Sequence, residues 1–280
     1  MNDSEIGNST ANSTYPSHYM KFKIFISVSY GVIITASLLG NTAVCLVILG
    51  ARSLRQSTNT CFVLSLAVSE LLTTCLFTAF MLESIILDGE WGHGEIMCNV
   101  TTTAYLLAVP TSILNLLALS VHRYLTLKYP FDRFKVSPLM TRRRALAITI
   151  TLWVYSLLFA LAPVLGWKVS PKGVINRRCY FNHPWIYSFL STVINFQIPI
   201  LSACFIHWRI YRLTKKSRNS LPRDDRPRKN HPVPTNIGEI GVIFHFLIYC
   251  VVVTQNCVVQ LSQTFLKDPH VPDISGGKHN

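Results

Sequence analysis

Residues 96–122 read IMCNVTTTAYLLAVPTSILNLLALSVH, a run without an acid, a lysine or an arginine. About 20 apolar residues cross roughly 30 Å of hydrocarbon as a helix, and this run is longer than that. Runs of the same character precede it at 24–51 and 56–82 and follow it at 145–167, 179–208 and 240–266. Of the 26 lysines and arginines and 13 acids in the 280 residues, only Glu70 lies inside the six runs. A soluble domain distributes its charge over a whole surface, so this segregation excludes one. Helices satisfy their own backbone where water is absent. The pattern predicts an all-α membrane protein with six apparent transmembrane helices.

The formal net charge of +13 raises nucleic acid as a partner, so the placement of the basic residues decides. With the N-terminus outside, the inner segments hold Arg52 and Arg55, then the seven from Arg123 to Arg144, then the nine from Arg209 to Lys229. That puts 18 basic residues inside against 8 outside. Lysine and arginine excess marks the cytoplasmic side, which predicts an extracellular N-terminus. A basic inner face attracts anionic lipid headgroups and acidic partner surfaces. Because the charge follows topology and no aromatic-basic binding motif accompanies it, nucleic acid is excluded.

The chain divides into a polar tail over 1–23, helices one to five over 24–214, a basic third inner loop over 215–239, a sixth span over 240–266 and a short polar tail over 267–280. The first tail carries three sequons, at Asn2, Asn8 and Asn12, which agree with an outside location and predict glycosylation. A fourth, Asn99-Val-Thr, sits against the third run, where access is poor. No compact apolar core precedes a small-residue cleavage site, so the first run is expected to stay in the membrane. Six of the eight cysteines lie within runs as small buried hydrophobes. Cys98 opens the third run and Cys179 follows the basic loop after Trp167, so both face an oxidising compartment. A Cys98–Cys179 disulfide would draw that loop over the third helix as a lid.

These residues resemble the rhodopsin-like (class A) G-protein-coupled receptors. The resemblance is carried by Gly40-Asn41, by Asn59, and by Leu66-Ala67-Val68-Ser69-Glu70, where the family has Leu-Ala-x-x-Asp. Further along it rests on Trp91, on Cys98 followed at family spacing by His122-Arg123-Tyr124 in place of Asp-Arg-Tyr, and on Pro130, Phe131, Trp153 and Pro199. Cys179-Tyr180-Phe181 and the interval to Pro199 are most similar to amine- and adenosine-type receptors.

The resemblance implies a seven-helix receptor-type bundle in the plasma membrane. Such a receptor binds an extracellular small molecule and passes a helix rearrangement to a heterotrimeric G protein, without enzymatic chemistry and without a cofactor. It implies G-protein coupling at Arg123, Tyr124, Pro130 and Phe131, with His122 replacing the acid that normally restrains the arginine. It also implies an intramembrane polar network of Asn41, Glu70 and Ser112. There a sodium ion at Glu70 and Ser112 stands beside a protonated structural acid as the alternative, since Glu70 is one methylene longer than the usual Asp. Ligand-pocket candidates are Tyr105, Val109, Phe181 and Asn195. Tyr105 occupies the position where amine receptors carry the Asp that pairs with an ammonium, which argues against a monoamine ligand.

After residue 216 the motif-by-motif resemblance ends. The run 240–266 has neither Trp nor Pro in place of Cys-Trp-x-Pro, and no Asn-Pro-x-x-Tyr helix follows. The abrupt stop points to a truncated form or an altered reading frame rather than a divergent receptor. Two other roles stay open: a non-signalling form that modulates a full-length partner as a receptor dimer, and a transporter or channel subunit. Against transport stand the single intramembrane charge and the absence of an evident internal repeat. No metal-ligand spacing, phosphate-binding loop or nucleophile motif suggests an enzyme. Pro110, inside the third run, is read as a packing feature, and His183, His207 and His245 as packed or interfacial side chains.

Overall fold

The computed structural model describes residues 17–129, 141–170, 172–181 and 183–220. Among them are five helices long and apolar enough to cross a membrane. Helix α1 is Ser17–Gly50, and a single turn, Arg52–Arg55, leads to α2, Thr58–Ile86. Helix α3 is Gly94–Lys128 and α4 is Arg142–Leu161. Helix α5 begins as Trp185–Ser191, passes through a π turn at Thr192–Gln197 and continues as Ile198–Ser220. The bundle is an all-α membrane architecture, matching five of the six apolar runs. The run 240–266 lies outside the described residues.

The helix ends differ from the run ends for local reasons. Cys179 and Phe181 are apolar but belong to a loop, so the fifth span starts at Trp185, after Pro184, whose fixed φ suits the position before a helix. α1 starts at Ser17, within the stretch whose polarity assigns it to the outer tail, and α3 continues past Arg123 to Lys128. The Thr141 side chain accepts from the Arg144 backbone N–H at 3.4 Å and so starts α4.

Two π turns interrupt the spans where side chains or a proline compete for the ladder. In α2, Thr73, Thr74 and Thr78 donate their hydroxyls to the carbonyls of Ser69, Glu70 and Thr73, around the π turn Thr74–Thr78. In α5, Pro199 cannot bond the carbonyl of Asn195, and the π turn directly before it takes up the misfit. Pro110 in α3 is fully buried, which makes it part of the packing.

Helix α3 is the hub. It packs on α2, α4 and α5, whereas α1 packs on α2. Of the most apolar stretch of α3, 61% is buried, against 6% for α1. One core layer joins Phe62 of α2, Leu119 of α3 and Ala145 of α4. A second joins Val109 and Ile113 of α3 to Ile200 of α5, with Tyr105 and Phe196 against it. Trp153 of α4 donates its indole N–H to Ser65 of α2 at 2.9 Å. Lipid tails are as apolar as these side chains, so close packing and polar ties, rather than transfer out of water, hold the helices together. Large apolar side chains such as Phe25, Leu39, Leu158 and Phe205 remain exposed on the rim.

Candidate functional site

The loop between α4 and α5 folds back as a hairpin, β1 (Val174–Ile175) against β2 (Arg178–Cys179), antiparallel with Val174 opposite Cys179. Its turn residues Asn176 and Arg177 have φ of 50° and 59°, the left-handed pair of a two-residue turn that follows strand twist. The hairpin is tied to α3 by the Cys98–Cys179 disulfide, with Cα atoms 5.6 Å apart. A second tie was not legible beforehand. The Glu95 carboxylate, one helical turn before Cys98, accepts the backbone N–H groups of Gly173 at 2.5 Å and Val174 at 3.1 Å. A Cβ on residue 173 would come within 3.3 Å of Glu95 Oε1 and of Asn99 Oδ1, so glycine lets the loop lie this close. The Trp91 N–H also donates to the Arg177 carbonyl at 2.7 Å.

Replacing Glu95 by alanine leaves those two loop amides without their charged acceptor. The expected cost is about 1–2 kcal/mol, because bonds to ionised groups are the stronger kind but this one is partly solvated. Hydrogen exchange at Gly173 and Val174 should accelerate while that of the α3 core stays slow. Unchanged protection at both amides would remove the carboxylate as a tie.

Beneath the hairpin, Phe181 meets Tyr105 edge-on at 5.3 Å between centroids, and Phe77 of α2 lies 4.4 Å from Tyr105 and 6.0 Å from Phe181. Val109 lies one turn below Tyr105 in the α3–α5 core layer. Three of the four pocket candidates thus gather around one aromatic group, which Phe77 joins. Asn195 turns elsewhere. It is fully buried and accepts the Tyr155 hydroxyl proton from α4 at 2.8 Å, making it a helix–helix tie. His183 packs between Phe181 and Tyr187, at 5.8 and 5.1 Å, and exchanges a 2.8 Å bond with the Ser188 hydroxyl. Burial holds its imidazole below its ordinary pKa.

At mid-depth the polar residues form two linked sets. Asn41 donates to the Ser37 carbonyl at 3.0 Å, Ser37 bonds Thr74 at 2.7 Å, and Thr74 donates to the Glu70 carbonyl. Ser112 bonds Ser69 at 2.8 Å and lies beside the Glu70 carboxyl. The Glu70 carboxyl and the Ser69 and Ser112 hydroxyls are all oxygen donors in a buried seam, the chemistry a hard cation requires. Among the described residues no group of three or more His, Cys, Asp or Glu forms a transition-metal type of site.

At the far end of α3, Arg123 is exposed, with His122 and His207 close enough to feel its charge. His207 of α5 bonds the Ser120 hydroxyl at 3.1 Å, a contact between α3 and α5 that sequence reading missed. Tyr124 follows Arg123 on the same helix, and the Arg209 guanidinium of α5 lies against its phenol. Pro130, Phe131 and the sequon residues Asn2, Asn8 and Asn12 lie outside the described residues.

One central helix therefore begins under a tethered loop and a ring cluster and carries, about 27 Å further along at 1.5 Å per residue from Tyr105, an exposed guanidinium toward its other end. A buried strut whose two ends differ in this way relates the two sides of a membrane, which is the construction of a polytopic receptor. The chain belongs to the rhodopsin family of seven-transmembrane receptors: the model of "7 transmembrane receptor (rhodopsin family)" matches residues 40–274. That match continues past residue 216, where the motif-by-motif resemblance ends. The human histamine H2 receptor is 31% identical over 214 residues, covering 75% of this chain and 56% of that protein. The histamine H2 receptor of Cavia porcellus is 31% identical over 218 residues, covering 75% and 59%. The alpha-1A adrenergic receptor of Oryzias latipes is 28% identical over 207 residues, covering 74% and 43%. The chain spans about half the length of the curated relatives it matches.

Proposed function

We propose that this protein is a plasma-membrane receptor, N-terminus outside, that binds an extracellular small molecule and passes a helix rearrangement to a heterotrimeric G protein. The observation that carries the reading is the continuity of α3, which bears Tyr105 in the ring cluster and Arg123 at the opposite end. A ligand against Tyr105, Phe77 and Phe181 bears on the Val109–Ile113–Ile200 layer below. Helix α5, with its π turn and Pro199, is the partner built to bend there. The movement reaches the Ser120–His207 contact beside Arg123, the group assigned to the G protein. The names of the relatives point to amines, but Tyr105 offers a ring and a hydroxyl where an ammonium would need a carboxylate. The ligand that fits is small, flat and uncharged at its centre.

The test is guanine-nucleotide exchange on purified heterotrimers with the full chain in lipid nanodiscs. Faster GDP release than with empty nanodiscs is expected, and release at the empty-disc rate with every heterotrimer class would end the reading.

A sodium ion at mid-depth would be held by Glu70 with Ser112 and Ser69. Binding to the folded state stabilises it by RT ln(1 + [Na⁺]/Kd), about 1.4 kcal/mol at tenfold saturation. Exchanging KCl for NaCl should therefore raise the thermal midpoint, and Glu70→Gln should abolish the rise. A rise that persists in the variant would place the ion elsewhere.

A further inference from the structure

His183 joins the loop that covers the ring cluster to the start of the fifth span. Its ring packs against Phe181 of the loop and Tyr187 of α5, and Phe181 in turn rests against Tyr105 and Phe77. The junction is a hydrogen bond as well as a contact. A neutral imidazole with its proton on Nε2 accepts the Ser188 hydroxyl proton at Nδ1, 2.8 Å away. Protonation turns both ring nitrogens into donors. The hydroxyl must then send its own proton to the Pro184 carbonyl, 3.5 Å away and at the limit of a bond.

The surroundings decide how the charge is received. A cavity of about 20 Å³ borders the ring, room for one water, and exposed Lys168 forms part of its wall, so the ring is open to solution. Among the described residues lining the cavity, Lys168 is the other charged group and Tyr180 the other ionisable one, while α3 and α4 contribute neither acid nor base. On the α5 side the Tyr187 hydroxyl is spent on the Phe159 carbonyl at 2.9 Å. The Glu95 carboxylate is committed to the Gly173 and Val174 amides and already feels the Lys168 charge. Phe181 and Tyr187 stand tilted at 49° and 45° to the imidazole, so neither turns its full face to a cation. An imidazolium here meets an ammonium, no lining carboxylate and too little water. Burial is the larger influence on the ring and holds its pKa down, and a backbone hydrogen bond at His183 itself pushes back without cancelling it.

We propose that His183 is a proton-sensitive latch, which holds the loop against α5 in neutral solution and releases it in acid. The latched state disfavours the charged ring and the released state does not. Latching is therefore complete above the ordinary histidine pKa of about 6.5 and is lost as the pH falls below it. Release draws Phe181 away from Tyr105 and Phe77. That this uncovers a ligand chamber rests on the receptor reading, whereas the latch itself does not.

The test is hydrogen exchange of the full chain in nanodiscs, with each rate divided by the intrinsic rate at the same pH. The His183 and Ser188 amides, bonded to the Phe181 and Pro184 carbonyls at 3.1 Å, flank the latch. Their protection is expected to fall about 10-fold between about pH 7.5 and about pH 5.5, since one titrating group shifts an equilibrium by up to about tenfold per pH unit. Gly173 and Val174, held by a carboxylate whose pKa is lowered, should keep theirs, and with the intact mass of the Cys98–Cys179 bond they report that each variant has folded. His183→Gln keeps an acceptor for Ser188 but does not titrate, so its protection should be flat with pH. Ser188→Ala should lower the protection of neighbouring amides in neutral solution toward the acid value. Protection in the unaltered protein that ignores pH would overturn the latch. So would a fall that persists in His183→Gln, which assigns the proton to another group, or full neutral protection in Ser188→Ala. None of these outcomes bears on nucleotide exchange, which decides the receptor reading separately.

Discussion

Replacing Cys98 by serine is expected to lower the unfolding free energy by about 2–4 kcal/mol. The bond closes a separation of 81 residues, for which chain entropy alone gives about 4.5 kcal/mol. The lower range applies here because helices inserted in a bilayer are already confined before they pack, so the cross-link removes less freedom than in an unfolded chain in water. The loop also keeps the Glu95 carboxylate and the Trp91–Arg177 backbone bond when the disulfide is gone. The expected picture is a lowered thermal midpoint with a lid that still visits its seat. Cys179 in the Cys98→Ser protein should react with a thiol reagent more slowly than in Cys98→Ser combined with Glu95→Ala. Equal rates would show that the carboxylate does not hold the loop.

Phe62→Ala is expected to cost about 2 kcal/mol, and Phe25→Ala nearly nothing. Phe62 is completely buried between Leu119 and Ala145, whereas Phe25 is 70% exposed on α1. In a soluble protein both the transfer term and the cavity term would count for a buried ring. In a bilayer the ring that leaves the core enters hydrocarbon, so the transfer term nearly vanishes and the cavity remains. At about 24 cal/mol per Å³, a void of roughly 100 Å³ gives the 2 kcal/mol. Reversible unfolding in mixed micelles measures both. A large loss for Phe25→Ala would mean that transfer, not packing, holds these helices.

The Glu95 clamp shows the limit of reading along the chain. Cys98 and Cys179 are the two cysteines assigned to the outer side, and that pairing is what the fold contains. Glu95 stands three residues before Cys98 with no partner in the sequence to suggest it, because Gly173 and Val174 meet it only once the hairpin has folded back. Phe77 was silent for the same reason. It is one more apolar residue in an apolar run until α2 sets it 4.4 Å from Tyr105. Asn195 illustrates the opposite case, a polar residue in the expected helix whose turn, shifted by the π bulge before Pro199, presents it to Tyr155 of α4.

By itself, the sequence determined that these segments live in lipid, where the basic residues gather between them, which cysteines can pair and which helix carries Arg123. Those are consequences of charge and length, and both are counted residue by residue. Only the tertiary structure decided which face of each span meets protein. A soluble helix advertises its buried side because the other side must be polar, whereas a span in hydrocarbon is apolar all round. Of the two, α1 is the more hydropathic, yet it is the rim of the bundle, and α3 is its centre. Packing volume, side-chain hydroxyls and the register of two π turns make that choice, and none of them has a period that can be read from the letters alone.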